Sequence, residues 1–95
     1  MNALAININN IKRAMNKDEQ YSSAMEDGAY TITFGAYGRQ ITVLATPVEP
    51  VTEAQIEDGD YPVRYSTLVT DLDGCTDYDT MFDAIANIFM SYYQN

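Results

Sequence analysis

The sequence predicts an α+β fold in two layers, with an α-β-β-β-α order. A three-stranded antiparallel sheet is expected to pack against N- and C-terminal helices. Three observations lead there. Apolar residues recur at three- and four-residue spacing toward both ends of the chain. Between them the period drops to two over a pair of runs joined by a glycine-bearing turn. A third alternating run follows a proline corner and a short capped segment. At 95 residues, with no internal repeat or low-complexity stretch, residues 1–95 read as a single domain.

Leu4, Ile8, Ile11 and Met15 fall at spacings of four, three and four, which is one face of a helix. The asparagines at 9, 10 and 16 are poor interior helix formers and place a pause near residues 16–18. Asp18 is a candidate cap for a second helical piece, with Tyr21, Ala24 and Met25 facing inward and Gly28 ending it. One bent helix or two short ones satisfy this pattern equally.

From Tyr30 the side chains alternate. Tyr30, Ile32 and Phe34 point one way and Thr31 and Thr33 the other. Gly35-Ala36-Tyr37-Gly38 is the turn, and residues 40–46 alternate again with Ile41, Val43 and Ala45 on one side. Pro47-Val48-Glu49-Pro50 has P-x-x-P spacing, but between structured elements and beside acids it reads as a stiff corner. Thr52 and Gln55 stand at capping-box spacing and open one or two helical turns that Gly59 ends. Residues 61–70 form the third strand, with Tyr61, Val63, Tyr65, Thr67 and Val69 on one face. Pro62 lacks an amide hydrogen and so favours the start of an edge strand.

The last helix has the strongest pattern. Tyr78, Phe82, Ile85, Phe89 and Tyr92 repeat at four, three, four and three, beside Met81 and Ile88. Thr76 with Asp79 reads as a capping box, and Asp77 and Asp79 suit the positive helix end.

Composition removes several chemistries. There is no histidine, which removes the commonest general base near neutral pH and the commonest metal ligand. A single cysteine excludes an intramolecular disulfide and a thiolate zinc site. Cys75 lies between Asp73 and Asp77 and lacks the base or cation that activates a thiol. No phosphate-cradling glycine loop occurs, because Gly35 and Gly38 lie in a hairpin turn. The stretch from Asp71 to Asp79 looks superficially like a calcium loop, but counting from Asp71 puts Gly74 at position four and Phe82 at position twelve. EF-hand spacing therefore fails, and only a loose site on Asp71, Asp73 and Asp77 remains open. Neither an enzyme nor a cofactor is expected. The N-terminus does not read as a signal peptide, and no apolar run is long enough to span a bilayer. The cytoplasm is the expected location.

Charge is the distinctive feature. Residues 49–83 hold ten of the fourteen carboxylates against one cation, Arg64. The remainder holds four acids and four bases, so the formal charge of -9 lies wholly in the second half. Five bases are too few for a nucleic-acid face, and the acids would be repelled by nucleic acid and by anionic membranes alike. Packing like charges in a small domain costs stability. Solubility alone would explain the acids, but it would not require a neutral first half. Asp79 and Asp83 stand about 6 Å apart on one helix face, and Asp71 and Asp73 about 6–7 Å apart if extended. These separations are comparable to those of neighbouring phosphates. Glu57, Asp58 and Asp60 form a second group able to extend the same anionic ribbon.

A small, strongly acidic, histidine-free domain with this element order resembles phage-encoded inhibitors of bacterial defence, among them anti-CRISPR proteins that mimic DNA. The resemblance covers the architecture of the whole chain. It implies a stoichiometric inhibitor that blocks the DNA or RNA channel of a basic nucleic-acid-binding protein, such as a Cas effector or other defence nuclease, in the host bacterial cytoplasm. Glu57, Asp58, Asp60, Asp71, Asp73, Asp77, Asp79 and Asp83 would be the contact residues. Tyr37 and Tyr93 are candidate aromatic anchors beside them. Lys12, Arg13 and Lys17 keep the N-terminal face mildly basic, so not every face can act as the mimic. A homodimer through the tyrosines or an edge strand is possible. The alternative function is a non-catalytic structural or adaptor protein of a phage or bacterium, binding through its tyrosines.

Overall fold

The computed structural model describes residues 6–68, 72 and 74–93. In chain order these form α1 (Ile8–Lys17), β1 (Gln20–Ser22), a 3-10 turn (Glu26–Gly28), β2 (Tyr30–Ala36), β3 (Arg39–Pro47), α2 (Glu53–Asp58), β4 (Val63–Thr67) and α3 (Tyr78–Tyr92). The sheet is four-stranded and antiparallel in the order β1-β2-β3-β4. This corrects the expected three-stranded α-β-β-β-α arrangement: the fold is α+β with three helices and a fourth strand. The stretch after Asp18 is not a second helical piece. Gln20, Tyr21 and Ser22 pair with Thr33, Ile32 and Thr31 instead. Non-local hydrogen bonding to a ready-made strand has overridden a weak helical spacing, and Tyr21 and Met25, expected inside, are exposed.

Local signals account for most of the other elements. Asn7 caps α1 by accepting the Asn10 amide at 2.9 Å. Tyr37-Gly38 makes the β2–β3 turn with φ of 50° and 84°, the two consecutive left-handed residues of a type I′ hairpin. The turn is two residues long because Gly35 and Ala36 belong to β2. At α2 the capping box is complete, with the Thr52 hydroxyl accepting the Gln55 amide and the Gln55 side chain accepting the Thr52 amide. The cap of α3 is Asp77, not Thr76: its carboxylate accepts both the amide and the hydroxyl of Thr80 at 2.8 Å.

Alternation on the strands sets two faces. Ile32, Phe34 and Ala36 of β2, Ile41, Val43 and Ala45 of β3, and Val63 and Tyr65 of β4 are buried together. Onto them pack Ile11 and Met15 from α1 and Met81, Ile85, Ala86 and Phe89 from α3. The two helices lie side by side, bridged at the surface by Lys12 and Asp83 at 2.6 Å. Phe89 and Phe34 are among the largest fully buried side chains. Truncating Phe89 to alanine would cost about 3–5 kcal/mol, as aromatic truncations in cores do. The opposite face bears Thr31, Thr33, Thr42, Leu44, Thr46 and Ser66, and the Thr33 and Thr42 hydroxyls hydrogen-bond across it at 3.1 Å. One sheet face therefore holds the core and the other is polar. β4 is an edge strand beginning just after Pro62, and the Tyr65 amide donates to the Cys75 carbonyl at 2.8 Å, so the chain at Cys75 covers part of that edge. Among the described residues no helix is long and apolar enough to cross a membrane.

Candidate functional site

The two ends of the sheet differ chemically. At the hairpin end, Tyr93 leaves the last turn of α3 and donates its hydroxyl to the carbonyls of Ala36 (3.0 Å) and Tyr37 (3.1 Å). Its ring meets that of Tyr37 edge to face, centroids 5.7 Å apart. Arg39 lies over the Tyr92 ring at 4.6 Å, a cation–π contact, and Arg13 and Lys17 share a shallow depression with Tyr37. Arg13, Lys17 and Arg39 thus gather where the hairpin meets the C-terminus of α3, while Arg64 stands on β4 opposite Thr46, toward the other end of the sheet. Tyr37 and Tyr93, nominated as partner anchors, are each half-buried against the other.

The opposite end is aromatic and acidic. Tyr65 packs edge to face on Tyr78 (6.4 Å), Tyr78 stacks on Phe82 (6.1 Å), and Phe82 meets Phe34 edge to face (5.6 Å). The Tyr78 hydroxyl donates to the Glu19 carboxylate, and Tyr65 and Tyr30 hydrogen-bond through their hydroxyls. Burial pushes Tyr21, Tyr30, Tyr65 and Tyr78 above the usual phenol range, and the Glu19 carboxylate pushes Tyr78 further. These phenols are protonated at neutral pH and serve as hydrogen-bonding walls.

Beside them runs a groove of about 310 Å³ between the Ser23–Tyr30 segment and α2. Asp27-Gly28 fixes one wall. Both residues have positive φ (58° and 81°), and the Gly28 carbonyl accepts the Tyr61 hydroxyl. Three large apolar side chains remain exposed around the opening: Tyr21 at 58%, Met25 at 45% and Ile56 at 42%. None of these groove residues was nominated as a contact from the sequence. The local signal in this segment is the Asp27-Gly28 dipeptide, a turn marker, but it follows Tyr21, Ala24 and Met25 and reads equally well as the end of a helix.

The nominated acids are placed as follows. Glu57 and Asp58 are exposed on the last turn of α2, and Asp60 is exposed beside Tyr61, so all three flank residues that line the groove. Asp27 lines the groove itself. Asp77 and Asp79 are exposed at the start of α3, next to Tyr78. Asp77 is partly occupied as the helix cap, and the two Thr80 hydrogen bonds hold its carboxyl below the usual range. Asp83 faces α1 and is paired with Lys12, the only ion pair among the described residues. Asp71 and Asp73, and with them the loose calcium reading, lie outside the described residues. Among the described residues no three His, Cys, Asp or Glu side chains are grouped to hold a metal ion. Cys75 is a half-buried free thiol whose Sγ approaches the Asp77 carbonyl at 3.5 Å.

This arrangement can attract and grip a cationic surface. Exposed carboxylates supply long-range attraction, and exposed apolar side chains supply short-range contact. No family model, no curated protein and no solved structure matches the chain.

Proposed function

We propose that the chain is a non-catalytic inhibitor that docks its acidic, tyrosine-bearing end onto the basic channel of a nucleic-acid-handling protein. A bacterial defence nuclease is the target class that the resemblance implies. The observation that carries the reading is the separation of charge along the sheet. Asp27, Glu57, Asp58 and Asp60 stand around one end with no described lysine or arginine in ion-pairing reach. Lys12, Arg13, Lys17 and Arg39 are held elsewhere, two of them by Asp83 and Tyr92, and Arg64, exposed on β4 opposite Thr46, is the one described cation toward the acidic end. Unpaired carboxylates on folded elements resemble a stretch of phosphate backbone to an arginine-lined channel, and they speed encounter with it. Blocking is stoichiometric, with no turnover.

The test is capture of binding proteins from a bacterial lysate, with competition by duplex DNA over a salt series. A captured nuclease or other nucleic-acid-binding protein that is displaced by DNA, with affinity falling steeply in salt, supports the reading. Charge reversal at Glu57, Asp58 and Asp60 should abolish capture while circular dichroism stays unchanged. Binding that survives both salt and reversal removes the inhibitor reading and favours the structural or adaptor alternative. In that alternative the anchors to test are Tyr37 and Tyr93, which pack edge to face on each other and stay partly exposed.

A further inference from the structure

We infer that the groove between the Ser23–Tyr30 segment and α2 receives an arginine side chain from a basic segment of the protein partner. The inference deepens the function proposed above and rests on that reading for the partner's basic character. Its geometric grounds are independent of the acid count. A volume of about 310 Å³ is at the low end for ligand pockets and suits a single long side chain better than a helix or strand.

The walls select the chemistry of that side chain. Tyr21 and Tyr30 present rings tilted by 41° with centroids 6.4 Å apart, and Tyr61 also lines the groove, held by its hydrogen bond to the Gly28 carbonyl. Ring faces attract a cation through their quadrupole. Asp27 lines the opening, and Asp58 and Asp60 stand on either side of Gly59, which also lines it. No lysine or arginine contributes to the lining. An anion would meet carboxylates, and an aliphatic side chain would strip water from them without giving hydrogen bonds in return. A cation satisfies both walls. Arginine does so better than lysine because its flat, weakly hydrated guanidinium stacks on a ring while its edge donates to carboxylates. Ile56 and Met25 then cover the aliphatic stem of the same side chain, as apolar surface does for long cationic residues elsewhere.

Isotope-labelled protein titrated separately with an oligo-arginine and an oligo-lysine peptide of equal length tests this directly. The expected result is tighter binding of the arginine peptide, with amide shifts concentrated at Tyr21, Asp27, Ile56, Gly59 and Tyr61. Tyr21→Ala should weaken arginine-peptide binding about two- to fivefold and lysine-peptide binding by less. Equal affinity for the two peptides, or shifts spread evenly over every acidic segment, overturns the inference. The wild-type shift map keeps the test decisive if Tyr21→Ala fails to fold. The peptide probe also separates the two proposals. Selective arginine binding in the groove alongside failure to capture any nucleic-acid-handling protein removes only the inhibitor reading. Salt-sensitive capture that Tyr21→Ala leaves undiminished removes only the groove.

Discussion

Replacing Gly28 with alanine probes the joint on which the groove is built. Two costs arise there. The φ of +81° puts an L-residue in left-handed space, a cost of about 1–2 kcal/mol. A Cβ built on Gly28 also falls 2.7 Å from Val51 Cγ2, 3.3 Å from the Tyr61 hydroxyl and 3.4 Å from Ile56 Cγ1. The first contact is about 1 Å closer than carbon atoms tolerate, and forced overpacking of this kind costs about 1–3 kcal/mol. The expected loss is about 2–5 kcal/mol in all. A domain of 95 residues has roughly 5–14 kcal/mol of stability, so the variant should fold but weakly. Gly38→Ala is the matched control. Its φ is +84°, yet nothing lies within 4 Å of the added methyl, so only the backbone cost of about 1–2 kcal/mol applies. Urea unfolding followed by circular dichroism, with unchanged slope, gives both numbers. The gap between the two variants should shrink in a Val51→Ala background. Equal losses at positions 28 and 38, or a gap indifferent to Val51, would show that the α2 connection does not press on the Asp27-Gly28 turn.

Three further outcomes are expected. Tyr93→Phe removes the hydroxyl donated to the Ala36 and Tyr37 carbonyls but keeps the ring on Tyr37, so it should cost about 0.5–1.5 kcal/mol in chemical denaturation; a neutral result would mean water replaces the clamp. In an absorbance titration Tyr21, Tyr30, Tyr65 and Tyr78 should ionise later than an ordinary phenol. Because their folded values are raised, the stability they contribute is complete below the unfolded value of about 10 and is lost as pH climbs past it, so the domain should unfold in alkali as they titrate. Asp77 has the opposite sign. Its folded value is lowered, so its contribution is present above the ordinary carboxylate range and disappears as pH falls through the depressed value. The stability difference between wild type and Asp77→Ala should therefore narrow in acid, and a difference that is flat with pH would exclude a carboxylate cap.

How much of this was legible in the sequence depends on whether an element signals itself locally. The α1 face through Ile11 and Met15, the Thr52–Gln55 capping box and the α3 stripe through Ile85 and Phe89 are written in spacing, and the structure has them. The hairpin was also legible, although its turn is tighter than the Gly35–Gly38 stretch implies. β1 was not. It is three residues long, exposed on every residue, and exists because β2 offers it a partner, which no local pattern announces. The same error hid the groove, since placing Tyr21 and Met25 inside a helix removes them from any surface. Of the nominated acids, sequence gave the count but not the pairing. That Asp83 answers Lys12 depends on how α1 lies along α3.

The order of elements along the chain has a bearing on synthesis. α1 and then the four strands emerge from a ribosome before α3, each strand pairing with its neighbour in sequence, so the sheet can assemble by short-range closures. Met81, Ile85, Ala86 and Phe89 arrive only afterwards, on α3. Until then Phe34, Val43 and Ile32 form an oily plane sheltered by α1 alone. Nascent molecules stalled at that stage would be sticky, and a stop codon ahead of Met81 should yield aggregates, not a smaller working domain.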